Sequence, residues 1–147
     1  MAVINPYLIF DGNAEEAFNF YKSVFGGEFE RVHRFGEMPG CDEMQVAENE
    51  KNRIMHIALP VGSKGSILMA SDFIAASGQK YDKVSGFSIS VGADSREEAD
   101  KIYNGLAEGG QTVMPMADAF WGDYFGMLKD KFGIDWMISY NPEYVTA

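Results

Sequence analysis

Few residues in this sequence can do chemistry, and their spacing limits what that chemistry is. Histidine occurs only at His33 and His56. Neither belongs to a His-Glu-x-x-His or Cys-x-x-Cys pattern, the usual spacings of metal-holding side chains. His56 alternates with Met55 and Ile57, which puts it on the strand face opposite those apolar neighbours. It is there either as a partly buried structural histidine held by a hydrogen bond, or as a pocket residue contacting a ligand or acting as a base. His33 lies among Arg31 and Arg34 and reads as a solvated strand position. Asp72 closes an apolar run. Its carboxylate either caps a turn, or binds a substrate hydroxyl or orients His56. The one cysteine, Cys41, precedes Asp42-Glu43, and acidic neighbours disfavour a thiolate nucleophile.

A second cluster, Trp121-Gly122-Asp123-Tyr124-Phe125-Gly126, packs aromatic rings and two glycines around one acid. The rings offer stacking surface and the glycines allow close approach, so the cluster lines a pocket, or fills core with a glycine marking a strand bulge. Nine methionines, Met69 and Met137 among them, suggest an adaptable apolar interior. No Gly-x-Ser-x-Gly elbow and no phosphate-binding Gly-x-x-x-x-Gly-Lys loop is present.

An internal repeat positions these groups. Glu15-Glu16-Ala17, Phe20-Tyr21 and Gly26-Gly27 recur as Glu97-Glu98-Ala99, Ile102-Tyr103 and Gly109-Gly110. In the first copy the pattern predicts a strand over Tyr7–Phe10 and a turn at Asp11-Gly12. A helix capped by Asn13 follows, burying Ala14, Ala17, Phe18, Tyr21, Val24 and Phe25 and ending at Gly26-Gly27. In the second copy it predicts a strand over Phe87–Val91 and a helix capped by Ser95. That helix buries Ala99, Ile102, Tyr103 and Leu106. Strands follow at Phe29–Phe35, Arg53–Val61 and Ser66–Asp72, then at Gln111–Met116, Tyr124–Lys129 and Asp135–Tyr140. The polar stretch Gly36–Asn52 reads as a long mobile loop or excursion, and Ser77–Val84 as a linker. The result is a single α+β domain of paired βαβββ modules, about 3–73 and 85–141.

Composition narrows the function further. The 147 residues hold 12 Lys and Arg against 22 Asp and Glu, a formal charge of −10. Such a balance argues against a nucleic-acid or anionic-membrane partner. No apolar run approaches a spanning helix, and the opening residues lack the basic start of a secretory signal. With one cysteine, the expected compartment is the cytoplasm.

The ordered motifs resemble a known family. Ile4-Asn5-Pro6-Tyr7-Leu8, Ala14-Glu15-Glu16-Ala17, Phe25-Gly26-Gly27, Leu68-Met69-Ala70-Ser71-Asp72, Phe120-Trp121-Gly122-Asp123, Phe125-Gly126-Met127, Asp130-Lys131-Phe132-Gly133 and Trp136-Met137 are similar to the PhnB-like branch of the vicinal oxygen chelate superfamily. Glyoxalase I, bleomycin-resistance proteins and extradiol dioxygenases belong to that superfamily. The resemblance implies a cup-shaped, mainly antiparallel sheet with helices on the outside, commonly in a homodimer with ligands in the cups. Metal-dependent members place one ligand on each of four strands. Those positions fall here near Pro6 (beside Asn5), Met69, Ser88 and Met137, none of which suits a divalent ion. No metal and no cofactor is therefore expected.

Two further roles are associated with this branch. Methyl transfer to demethylubiquinone lacks the glycine-rich turn of an S-adenosylmethionine site, because Tyr7–Gly12 holds one glycine. A phosphonate role needs a cationic pocket, and arginine is limited to Arg31, Arg34, Arg53 and Arg96. The leading expectation is a metal-free binder of a small organic molecule, with His56, Met69, Asp72, Ser88, Trp121, Asp123, Phe125 and Met137 as pocket candidates. The alternatives are an enzyme using His56, Asp72 or an unrecognised metal, and an assembly module whose aromatics serve only packing and dimer contacts. No residue is assigned as catalytic.

Overall fold

Turn glycines and apolar spacing set the element boundaries, and a computed structural model describes residues 2–78, 80–82 and 86–143. The chain divides into two compact units, Met1–Val84 and Ser85–Ala147. The expected linker Ser77–Val84 and the expected module start at residue 85 fall partly on Gln79 and residues 83–85, outside the described residues. Each unit has the order strand, helix, three strands.

In the first unit, β1 (Tyr7–Phe10), α1 (Ala14–Phe25), β2 (Arg31–Arg34), β3 (Ile54–Val61) and β4 (Ser66–Asp72) form a sheet of order β1-β4-β3-β2. The β1–β4 pair is parallel and the other two are antiparallel. One face of this sheet, carrying Leu8, Phe10, Ile57, Leu59, Leu68 and Ala70, is buried beneath α1. The helix contributes Ala14, Ala17, Phe18 and Tyr21 to that core, while Val24 and Phe25 are only half-buried. The polar stretch Gly36–Asn52 is tied down rather than free. It holds short 3-10 turns at Phe35–Glu37 and Glu48–Glu50, buries Val46, and anchors Glu50 to the Ala75 N–H.

The second unit repeats the plan with β5 (Ile89–Gly92), α2 (Arg96–Ala107), β6 (Gln111–Asp118), β7 (Tyr124–Lys129) and β8 (Asp135–Tyr140), in the order β5-β8-β7-β6. Here α2 covers Leu128, Trp136 and Ile138 with Ala99, Ile102, Tyr103 and Leu106. Gly126 is where helix and sheet come closest: a Cβ there would lie 2.6 Å from Met116 Sδ and 2.9 Å from the Tyr103 ring. Its missing side chain therefore makes room for helix packing. The bulges lie opposite, on β6, whose register shifts on both sides of Met114.

Each unit buries one aspartate and satisfies it with N–H groups. Asp130 (3% exposed) accepts from the backbone of Phe132 and Ile134 and from the Trp136 indole. Asp72 (4% exposed) accepts from Gly12 and Ala14 through Oδ1 and from Ile54 through Oδ2. Asp72 thereby supplies the cap expected of Asn13, which occupies the cap position but makes no side-chain cap bond. A charged acceptor reaching two N–H groups at the positive helix end outcompetes a neutral amide. In the second unit the expected local cap holds: Ser95 Oγ accepts from the Glu98 N–H at 3.0 Å.

Replacing Asp72→Ala should strand three N–H donors, two of them in buried bonds, and cost on the order of 3 kcal/mol in urea denaturation. Asn13→Ala should change stability by less than about 1 kcal/mol.

Candidate functional site

With one face of each sheet under a helix, the chemistry available for a ligand lies on the other face, and strand register decides which side chains meet there. In the first unit, paired positions run Tyr7, Met69, Ala58, Arg31 across the four strands. Beside them, Ile9 pairs with Ser71, and His56 with His33. Tyr7 is 46% exposed and Ile9 50%, whereas Ala58, small and flanked by longer chains, is 2% exposed. His56 is half-buried. Its ring stacks on that of Tyr7 (centroids 5.8 Å apart, planes 30° apart), with the Tyr7 hydroxyl 3.4 Å from Nδ1. With the imidazole proton on Nε2, Tyr7 donates to Nδ1 and Nε2–H is left as a further donor. Partial burial first, then the positive charges of Arg31 and His33, push the His56 pKa below 6.5.

Asp72 is not part of this face. It alternates with Ser71 onto the helix-covered side, and its oxygens hold backbone N–H groups rather than His56. The turn-capping reading therefore describes its contacts, and the proposed substrate or His56-orienting role does not.

In the second unit the corresponding positions run Met114, Met127, Met137, Ser90. Phe125 and Ser139 are paired alongside. Met127, Met137 and Phe125 are half-buried and Met114 is 47% exposed, so this face is soft and apolar. Ser88 lies one residue before β5, and the residue paired with Met137 is Ser90. The path from this row to the helix cap runs from Ser90 to Ser95, one residue shorter than from Tyr7 to Asn13 in the first unit.

At the β6–β7 connection Asp123 accepts from Trp121 Nε1 at 3.0 Å and Asn141 Nδ2 at 2.7 Å. Trp121, 52% exposed, also packs edge-on against Phe120 and Phe125. The acid and the indole N–H thus fix a turn, and Gly122 takes a positive φ of 102° within it.

The four positions that the fold family uses for a metal fail a chemical test here. Asn5 Oδ1 accepts from the Ile67 N–H and Pro6 offers only its carbonyl, already bonded to Met69 N–H. Met69 and Met137 offer thioethers and Ser88 a hydroxyl, each a poor ligand for a hard or borderline divalent ion. Among the described residues, no group of three His, Cys, Asp or Glu side chains gathers where it could hold a metal.

The lowered His56 pKa makes a testable statement. The stability it contributes is present above pH 6.5 and is lost as pH falls through its folded-state value, because the unfolded chain then binds the proton better. His56→Gln should flatten that part of the acid limb in denaturation midpoints, and the His56 ring should titrate below 6.5 by NMR.

Comparisons with known proteins agree with this architecture. The model of the family described as 3-demethylubiquinone-9 3-methyltransferase matches residues 2–139. Protein YjdN of Escherichia coli K12 is 32% identical over 143 residues, covering 92% of this chain and 93% of that protein. Protein PA1353 of Pseudomonas aeruginosa superposes with a TM-score of 0.83 at 42% identity, covering 96% and 98% of the two chains. The PhnB protein of Bacillus cereus gives a TM-score of 0.72 at 26% identity, covering 95% and 99%. Likeness of fold alone extends, at 11% identity and a TM-score of 0.60, to the fosfomycin resistance protein FosX of Listeria monocytogenes, solved with Mn(II) and sulfate. The chain therefore belongs to the family described as 3-demethylubiquinone-9 3-methyltransferase.

Proposed function

We propose that this protein binds a small, largely apolar organic molecule without a metal, on the open face of its second sheet. One observation carries the reading: Met114, Met127 and Met137 stand in a single cross-strand row, beside Phe125, on the face that α2 does not cover. Unbranched thioethers adapt to varied ligand shapes and pack favourably on aromatic rings. A contiguous soft apolar strip on a sheet is also costly to leave in water, which favours a binding role over plain surface.

Methyl transfer, the activity in the family description, finds less support. Each sheet has one parallel pair at its edge rather than a parallel core, and the β1–α1 turn contains one glycine, Gly12. A homodimer is part of this proposal, as the family resemblance implies. The compartment is proposed as cytoplasmic, and among the described residues no helix is long and apolar enough to cross a membrane.

Two measurements test the reading. With methyl-labelled methionine, a screen of polycyclic aromatic compounds should shift the Met114, Met127 and Met137 signals together, and Met127→Asp should abolish the hits. Hits that spare these three methyls would refute it. Manganese, nickel, zinc or a chelator should leave the thermal midpoint within about a degree, because a ligand that binds the folded state at a hundred times its Kd adds about 2.7 kcal/mol. A shift of several degrees would restore a metalloenzyme reading.

A further inference from the structure

The first sheet carries a different kind of open face, and its charges are not balanced. The chain has a formal charge of −10 and four arginines. Three of them are paired with carboxylates: Arg34 with Glu15, Arg53 with Asp11, and Arg96 with Asp118. Arg31 makes no ion pair among the described residues. It stands on the open face in the row of Tyr7, Met69 and Ala58, next to His33 and His56, and none of the paired positions on that face is acidic. Among the described residues, then, a guanidinium without a carboxylate partner stands beside an imidazole in a strongly acidic chain, a setting that suits an anion.

We propose that this face recognises the carboxylate of an aromatic acid. The guanidinium of Arg31 and Nε2–H of His56 hold the two oxygens, and the ring of the ligand lies against Tyr7 and Met69. Guanidinium pairs with carboxylate through two parallel N–H donors, which supplies orientation as well as charge. The stacked Tyr7–His56 pair and the thioether of Met69 present flat, polarisable surface to an aromatic body. Partial burial first, and then the charges of Arg31 and His33, lower the His56 pKa, and an anion bound here opposes those charges. This site lies on the first sheet and does not depend on the methionine row of the second.

The test compares naphthoate with its neutral isostere naphthamide, each titrated calorimetrically into the full chain at near-neutral pH. Naphthoate should bind about tenfold more tightly and shift the His56 ring resonances. Arg31→Gln, at an exposed position whose thermal melt confirms folding, should bring the two affinities to parity while leaving the amide's unchanged. Equal binding of acid and amide to the unaltered protein, a preference that survives in Arg31→Gln, or no detectable naphthoate binding would each overturn the proposal. Naphthoate that shifts the Met127 methyl but not His56 would also overturn it, while leaving the binding role of the second sheet intact.

Discussion

Much of the first unit hangs on the carboxylate of Asp72. Removing a charged group from water is tolerable only when it gains strong hydrogen bonds, and here three backbone N–H groups supply them. Those donors belong to three places: the turn before α1, the first turn of α1, and the start of β3. A single side chain at the end of β4 thus fixes where the helix begins and how it lies over the sheet. Asp130 does related work in the second unit by closing the β7–β8 turn and holding the Trp136 indole, the largest fully buried side chain there. Because both acids are engaged inside their units, ligand chemistry falls to the uncovered faces.

Those two faces have diverged although the strands that carry them are arranged alike. The positions held by Tyr7, Met69, Ala58 and Arg31 in one unit are held by Ser90, Met137, Met127 and Met114 in the other. Only the methionine on the second strand of each sheet is kept. A hydroxyl, a guanidinium and an imidazole give the first face directional donors; thioethers and Phe125 give the second a compliant apolar surface. The fold supplies two sheet faces of like arrangement, and the side chains give each its own chemistry.

How much of this was legible in the sequence follows from the range of each interaction. Strands β1, β4, β7 and β8 begin and end where apolar alternation and turn residues place them, and α2 starts at the Ser95 cap, because those signals are local. The buried stripe of α1 was legible for the same reason, except at Val24 and Phe25 near its end. The Asp72 cap was not, since its partners lie 58 and 60 residues earlier and a nearby Asn13 offered a plausible local substitute. The resemblance pointed to Ser88, whereas the strand register sets Ser90 opposite Met137, a pairing that only the folded sheet reveals. The unpaired state of Arg31 is a tertiary fact, visible only once the other arginines have found their acids.

The contrast in helix capping has a consequence for the order in which the protein assembles. In α2 the cap bond joins residues three apart, so the helix start is complete as soon as that stretch exists. In α1 the corresponding bonds must close loops of 58 and 60 residues, an entropic cost met only when β4 is in place. On the ribosome the first helix is therefore made before its start can be secured, since the acceptor for the Ala14 N–H is translated 58 residues later.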